Sequence, residues 1–389
     1  MAHPIELITT TDALKQSIRH LQTKSEIAID LEFDKNYYRY GFNICLVQVF
    51  SGEICYLIDP LSNELEIEAL FPILENQNIQ KVCFSFDEDL RLLHSMGCFP
   101  KNLYDIGTAS RLLNYPSTSL TNLLIDELNI DPGKSSQQSN WFKRPLSERQ
   151  KSYAANDVLH LLKLKDHLDQ QAEARGIQGW IDEENRSLDT LDYSDLDHNQ
   201  TIKEKDKQDL TEREWHLFKL LMHWRDKVAE EYQKPPFQIV SNQILTQIAK
   251  DSRTLMDWLR MRGVFRMIQT ENVKNELIEL IKQGSSEAEE LNLSDQRSAK
   301  KTLSKHEHRE LMALKTEVSK AKKNIFDPIK QKIKEELGEE TATFLLSNRI
   351  VEEIVSGENN TMLSYKKSIL LDYAEDLNLN INELENYLN

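Results

Sequence analysis

Short β-rich runs alternate with amphipathic helical segments over the first 182 residues of the chain. Four runs have the β-branched and aromatic content of strands, namely EIAIDLEF, NICLVQVF, EICYLIDP and KVCFSF. Ser51-Gly52, between the second and third runs, is typical of a hairpin. Apolar residues at helical spacing occur in DEDLRLLHSM, IGTASRLLN, LTNLLIDEL and the long segment 147–176. This alternation predicts an α/β layer fold in which helices flank a mixed sheet.

Two polar, acidic segments interrupt the helical and strand patterns, at residues 183–210 and 285–306. With 389 residues, the chain is too long for one ordinary hydrophobic core. We therefore predict an α/β domain at residues 1–182, a helical domain at 211–284 and a further helical block at 307–389, with the two acidic segments as linkers.

The net charge of −16 argues against a nucleic-acid partner if it is spread evenly, because phosphates attract basic surfaces. Residues 211–282 differ from the rest, since they contain 12 Lys and Arg against 10 Asp and Glu. Within them lies a group that we call the basic cluster, formed by Lys250, Arg253, Arg260, Arg262 and Arg266. We expect this cluster to contact a nucleic-acid backbone. An acidic domain elsewhere is compatible with that partner if its carboxylates hold metal ions.

The N-terminal segment MAHPIELITT lacks the basic and apolar regions of a secretory leader. No run approaches the roughly 18 apolar residues of a membrane span. The cysteines have neither zinc-site spacing nor the density of a disulfide scaffold; they are Cys45, Cys55, Cys83 and Cys98. We expect a cytoplasmic protein with buried thiols and no membrane partner. The sequence gives no prediction of its oligomeric state.

Asp30 and Glu32 lie two residues apart in the predicted strand AIDLEF. Because side chains alternate along a strand, both carboxylates point to the same face and can share a metal ion. Their neighbours Ile27, Ala28 and Leu31 are apolar, so an unpaired ionised carboxylate there would be unfavourable. The alternative is a pair of exposed acids on a strand edge.

Asp89 lies where the predicted strand KVCFSF gives way to the helix DEDLRLL. It is a candidate for a third carboxylate at the same site. The alternative role is that of a helix N-terminal acid, which the helix dipole favours. Asp87 is a rival for either role.

The segment Ser147-Glu148-Arg149-Gln150 fits a capping box, so it predicts the start of a helix. On this helix Tyr153 and Asp157 are four residues apart, which places a phenol and a carboxylate on one face. The two alanines between them leave room for a ligand to approach. A packed tyrosine beside a solvated aspartate is the alternative.

Taken together, these three segments resemble the exonuclease motifs of the ribonuclease D family, in the same order and spacing. They are IAIDLEF, KVCFSFDEDLRLL and WFKRPLSERQKSYAANDVLHLL. The family is the tyrosine branch of the DEDD 3′→5′ exonucleases, and the resemblance covers residues 1–180. It implies a ribonuclease H-like fold for the first domain. It also implies the catalytic residues, motif by motif: Asp30 and Glu32, then Asp89, then Tyr153 and Asp157.

The resemblance implies two-metal hydrolysis of phosphodiester bonds. Asp30, Glu32, Asp89 and Asp157 would hold two Mg²⁺ or Mn²⁺ ions about 4 Å apart, one activating the attacking water and the other stabilising the leaving 3′-oxygen. Both metals favour oxygen ligands. We expect Asp30 to bridge the two ions and Glu32 to hold the water-activating ion. Tyr153 would orient the water, because a phenol is a poor base at neutral pH.

Residues 214–250 resemble the HRDC domain that helicases share with ribonuclease D. The first helix has a stripe of core positions, namely Leu217, Leu220, Leu221, Trp224 and Val228. We therefore expect Trp224 to be buried in the core. In the family this domain is an auxiliary nucleic-acid binder. The block 307–389 resembles only the end of the same module and lacks its Trp-Arg-Asp signature, so we interpret it as a degenerate second copy.

The favoured function is a 3′→5′ exoribonuclease that releases nucleoside 5′-monophosphates. Its substrates would be the 3′ ends of transfer RNA precursors and other small structured RNAs. One alternative is a 3′→5′ DNA exonuclease, because no residue of the site identifies a 2′-hydroxyl from sequence alone. The other is a non-catalytic RNA-binding scaffold.

Overall fold

The structure is a computed structural model that describes residues 3–116, 119–194, 209–296, 305–358 and 362–388, together with residues 202 and 207. The chain forms two compact units. The first consists of Met1–Glu32, Cys45–Asp195 and Ser304–Asn389, and the second of Phe33–Ile44 and Leu196–Leu303. None of the helices in these ranges is both long and apolar enough to cross a membrane.

A six-stranded mixed sheet forms the centre of the α/β layer. Its strands are β1 (Ile5–Ile8), β2 (Glu26–Lys35), β3 (Phe42–Phe50), β4 (Cys55–Ile58), β5 (Gln80–Cys83) and β6 (Leu103–Asp105). Their order across the sheet is β1-β4-β3-β2-β5-β6. β3 and β4 pair antiparallel, whereas β1 with β4, β2 with β5, and β5 with β6 pair in parallel. The predicted mixed sheet and its β3–β4 hairpin are confirmed.

Helices flank this sheet. They are α1 (Thr11–Leu21), α2 (Phe71–Leu74), α3 (Asp87–Ser95), α4 (Ile106–Leu112), α5 (Leu120–Leu128), α6 (Glu148–Leu159), α7 (Leu161–Ala174) and α8 (Gln178–Leu188). The segment 147–176, predicted as one helix, is two helices. The first ends at Leu159, and the next residue, His160, has a φ of −112°, which departs from helical geometry.

Helix α8 continues to Leu188, beyond the predicted start of the first linker at residue 183. It does so because its buried face, which includes Ile181 and Asn185, packs against β6. The amide of Asp105 donates a hydrogen bond to Asn185 Oδ1 at 2.9 Å. Much of the rest of this predicted linker lies outside the described residues.

The second unit is helical. It contains α9 (Glu212–Glu231), α10 (Pro236–Ile239), α11 (Asn242–Lys250) and α12 (Glu271–Glu290), with 3₁₀ turns at Ser252–Arg260 and Arg266–Ile268. Trp224 is buried in its core, as predicted, and donates from Nε1 to Glu276 at 2.9 Å. Helix α12 runs to Glu290 and so passes the predicted start of the second linker at residue 285.

The C-terminal block packs within the first unit and is not a compact body of its own. Its helices are α13 (Lys305–Ala321), α14 (Asp327–Leu337), α15 (Glu339–Leu345), α16 (Asn348–Ser356), α17 (Ser364–Asp376) and α18 (Ile381–Leu388), with a π-helical turn at Lys322–Phe326 between α13 and α14. Helix α15 lies on α4 and α17 lies on α8. The buried Thr341 hydroxyl reaches the carbonyls of Arg111 and Leu112 at 3.2 Å, and Trp180 stacks on Tyr365. The block therefore completes the core of the α/β layer.

Candidate active site

Strand β2 carries two carboxylates on one face. Ile27, Ala28 and Ile29 are fully buried, so the strand lies in the interior of the sheet. Asp30 is half-buried and Glu32 is only 6% exposed. The alternative of two exposed acids on a strand edge is therefore wrong for this structure.

Helix α6 brings a third carboxylate to the same place. Its start is fixed by the predicted capping box, in which Ser147 Oγ accepts from the Gln150 amide at 3.2 Å and Gln150 Oε1 accepts from the Ser147 amide at 3.1 Å. Three turns of helix then carry Asp157 over the sheet. Asp30, Glu32 and Asp157 each place one oxygen within 4.8 Å of the others.

Asp89 lies in the first turn of α3 and is only 7% exposed, whereas Asp87 is exposed. Asp89 is not one of the residues whose oxygens lie within 4.8 Å of one another. It is close enough for its charge to act on the cluster, because the charge of Asp30 raises the pKa of Asp89 and the charge of Asp89 raises that of Glu32. The structure thus favours Asp89 over Asp87 as the fourth acid.

Burial raises the pKa of each of the four carboxyl groups, and the charges of neighbouring acids raise it further for Glu32, Asp89 and Asp157. Burial raises the pKa of Asp30 to about 7, and burial together with the Asp30 charge raises that of Asp157 to about 8. Burial and the charges of the other three acids raise the pKa of Glu32 to about 10. None of the four forms an ion pair with a described lysine, arginine or histidine. When all four carboxylates are ionised, no described residue therefore supplies a balancing positive charge.

A divalent metal fits this arrangement. The donor set consists of carboxylate oxygens, which Mg²⁺ and Mn²⁺ prefer. Two buried oxygens, Asp89 Oδ1 and Asp157 Oδ2, have no hydrogen-bond partner among the described residues. A buried charged atom without a partner is costly, and a bound cation would remove that cost.

Tyr153 lies one turn before Asp157 on α6, and its hydroxyl lowers the pKa of the Asp157 carboxyl, against the larger effect of burial. Burial and the charge of Asp157 raise the pKa of Tyr153 above its ordinary value, so the phenol keeps its proton at neutral pH. The neighbouring Ser135 side chain acts in the opposite direction and lowers the pKa of Tyr153. Arg149 holds the loop that bears Ser135, because its Nη2 donates to the Ser135 carbonyl at 2.8 Å. The sequence does not predict the position of Ser135, because the run KSSQQSN has no periodicity that places it.

The basic cluster lies in the second unit, and all five of its side chains are exposed. Arg253 is paired in a fork with Asp251, at 2.7 to 3.0 Å, and Arg260 lies 3.9 Å from Asp257. The other three members form no ion pair with a described acidic residue. They are Lys250, Arg262 and Arg266. A role in nucleic-acid binding stays a prediction for all five.

Two regions of the chain match known protein families. A family model described as 3′–5′ exonuclease matches residues 5–173, and one described as HRDC domain matches residues 215–272. The chain is 30% identical over 250 residues to ribonuclease D of Desulfotalea psychrophila, covering 62% of this chain and 66% of that protein. It is 28% identical over 284 residues to ribonuclease D of Sphingobium indicum, covering 71% of each chain. The chain belongs to the ribonuclease D family.

A ribonuclease D is a 3′→5′ exoribonuclease, and the four carboxylates of this member lie inside the matched exonuclease region. The basic cluster lies inside the matched HRDC domain. The fold agrees with that of a solved structure, RNase D of Escherichia coli, with a TM-score of 0.65 at 22% identity over 97% of this chain and 99% of that one. The catalytic core of RRP6 from Trypanosoma brucei has a TM-score of 0.61 at 24% identity, over 74% of this chain and 81% of that one.

Proposed function

We propose that the protein hydrolyses RNA from its 3′ end with two divalent metal ions, Mg²⁺ or Mn²⁺, and releases nucleoside 5′-monophosphates. One observation carries this proposal. Four carboxylates, two of them buried and two half-buried, converge from β2, α3 and α6 without a described cationic side chain to balance them. Such a cluster is unfavourable in the protein alone and favourable around divalent cations.

Asp30, Glu32, Asp89 and Asp157 are the residues that would hold the metal. When bound, divalent ions would lower the pKa of an attacking water and stabilise the charge on the leaving oxygen. Tyr153 keeps its proton at neutral pH, so it acts as a hydrogen-bond donor and orients a group. Asp157 and Ser135 are polar neighbours of its hydroxyl, because each of them is electrostatically linked to it.

The proposed substrates are the 3′ ends of transfer RNA precursors and other small structured RNAs. Support comes from the curated relatives named ribonuclease D and from the Escherichia coli structure, described as an exoribonuclease involved in structured RNA processing. The exposed basic cluster of the HRDC domain supports contact with an RNA backbone.

A single assay tests these proposals. The full chain is incubated with a transfer RNA bearing a 3′ extension, with an unstructured RNA of equal length and with the matched DNA strand. Each substrate is tested in Mg²⁺, in Mn²⁺ and in EDTA. The Asp157→Asn variant controls for contaminating nucleases, because it retains the shape of the side chain and removes its charge.

We expect metal-dependent release of nucleoside 5′-monophosphates from both RNAs, stopping near the structured end of the transfer RNA. Faster hydrolysis of the DNA would favour the DNA exonuclease. RNA binding without release of nucleotides from either polymer would favour the scaffold.

A further inference from the structure

Gln48 lies in the middle of β3 and is fully buried, with 0% of its surface exposed. Neither its Nε2 nor its Oε1 has a hydrogen-bond partner among the described residues. In folded proteins about 90% or more of buried polar groups are paired, and an unpaired one costs roughly 1–3 kcal/mol. A leucine or methionine would fill the same volume without that cost. A polar group in this position therefore requires a reason other than packing.

The sheet places Gln48 below helix α6. Gln48 is opposite Leu57 on β4, and paired residues lie on the same face of a sheet. Leu57 belongs to the core that contains Ala154 and Val158 of α6, so this face is the one that α6 covers. Helix α6 contacts β4, and it also brings Asp157 to the two carboxylates of β2. Because β3 lies between β4 and β2, the helix passes over β3.

Gln48 can donate hydrogen bonds, and the acidic cluster, formed by Asp30, Glu32, Asp89 and Asp157, can accept them. The amide offers N–H donors, and the cluster contains two buried oxygens that accept no described hydrogen bond, on Asp89 and Asp157. A buried water that makes two to four hydrogen bonds can join groups of this kind. A neutral amide donates without adding positive charge. It can therefore orient carboxylates without competing with a metal ion, as a lysine or arginine would.

We propose that Gln48 is a positioning residue of the acidic site, whose carboxamide holds the carboxylates in place through a buried water between β3 and α6. This inference rests on the proposed metal-dependent function. It assigns a role to Gln48, which is outside the set of carboxylates. It also explains why a polar side chain without a described hydrogen-bond partner is retained in the core.

The test compares Gln48→Met with Leu46→Met. Both changes introduce the same unbranched side chain at fully buried positions of β3 that are two residues apart and so share a face. Three quantities are measured on the full chain: the melting temperature in EDTA, the affinity for Mn²⁺ alone by calorimetric titration, and kcat and KM on a 3′-extended RNA.

For Gln48→Met we expect an unchanged or raised melting temperature, together with Mn²⁺ affinity or kcat lowered by about 10–100-fold at unchanged KM, the range typical of residues that support metal ligands. For Leu46→Met we expect metal affinity and kinetics close to those of the unchanged chain. A lowered melting temperature with normal metal affinity and kcat would make Gln48 a structural residue and overturn the proposal. So would failure to fold of both Gln48→Met and a second variant, Gln48→Leu.

These measurements separate the two proposals. If the unchanged chain binds Mn²⁺ but hydrolyses neither RNA nor DNA, the proposed function fails while the titration still tests Gln48. If the unchanged chain hydrolyses RNA and Gln48→Met equals it in metal affinity and rate, the inference about Gln48 fails alone.

Discussion

Two aspartates of the first turn of α3 differ sharply in surroundings although they are two residues apart. Asp89 is buried beside Asp30, whereas Asp87 is exposed. We predict that Asp89→Asn lowers kcat by more than about 100-fold, which exceeds the 10–100-fold typical of residues outside a ligand set. The matched change Asp87→Asn should retain most of the activity. Single-turnover assays on 3′-extended RNA measure both, and comparable losses would contradict the assignment of Asp89.

The raised pKa values of the carboxyl groups predict how stability depends on pH and metal. Without metal, the folded protein holds protons on Asp30 and Asp157 up to about pH 7 and 8, whereas the unfolded chain releases them near pH 4. Because the folded state binds more protons in this window, stability of the metal-free protein falls as pH rises from about 4 to 8. Mn²⁺ must displace these protons, so it should bind more tightly at pH 8 than at pH 6.

Thermal unfolding in Mn²⁺ and in EDTA at the two pH values measures this effect. The increase in melting temperature on adding Mn²⁺ should be larger at pH 8. The variant Asp30→Asn/Asp157→Asn should show a small increase that does not change with pH. An equal increase at both pH values in the unchanged chain would contradict the prediction.

Residues of the site differ in how far their placement could be predicted from sequence. Asp30 and Glu32 share a face because strands have a twofold period, and Tyr153 with Asp157 share one because helices repeat every 3.6 residues. Ser135 lies in a loop, where no period relates one residue to the next. Gln48 follows the strand pattern, but the pattern does not say that its amide is unpaired, because that depends on which helix covers it.

Short elements and helix breaks were harder to predict than long ones. Strands β1 and β6 were not among the predicted strands. They have four and three residues, and their pairing with β4 and β5 supplies the hydrogen bonds that define them. The division between α6 and α7 at His160 lies in a sequence without Gly or Pro, so no helix-ending residue marks it. The capping box at Ser147, in contrast, is a local interaction and was predicted correctly.

The contact between α15 and α4 depends on Gly338, which has a φ of +100°. A Cβ at this position would overlap the Asn114 side chain, whose Oδ1 accepts from the Glu340 amide at 2.9 Å. We predict that Gly338→Ala lowers the free energy of unfolding by about 2–3 kcal/mol, from backbone strain and steric overlap together.

Gly357→Ala is the matched control, because Gly357 has a φ of +74° with no atom within 4 Å of the added Cβ. This substitution should lower the free energy of unfolding by about 1 kcal/mol, which is the contribution of backbone strain alone. Urea unfolding measures both values. Equal costs would show that the Asn114 side chain moves aside without cost and would contradict the predicted overlap.

For the whole molecule, we predict that the basic cluster contributes to RNA affinity through charge. Arg262→Glu/Arg266→Glu should weaken binding and reduce the slope of log affinity against log salt by about 0.7 for each lost phosphate contact on single-stranded RNA. Lys227→Glu/Lys282→Glu changes the charge of the second unit by the same amount at other exposed positions. Fluorescence anisotropy from 50 to 300 mM salt separates the two variants; matching slopes would show only a general charge effect.

The sequence predicts three successive blocks, but the two ends of the chain form one compact unit. The apolar faces of α15 and α17 indicate that these helices are buried, and nothing in their spacing says against which partner. The partners are α4 for α15 and α8 for α17, and each lies more than 100 residues away along the chain. Long-range pairing of this kind is set by the shapes of both surfaces, so a local pattern does not predict it.

The C-terminal block covers α4 and α8. The ribosome therefore synthesises α4 and α8 well before it synthesises the helices that cover them. The start of α15 follows the end of α8 by about 150 residues. At 5–20 residues per second, the ribosome needs about 8 to 30 s to make that length. During this interval the apolar surface around Leu112 and Trp180 has no C-terminal partner. A nonsense codon late in the reading frame would therefore leave the exonuclease layer itself unfinished and prone to aggregate.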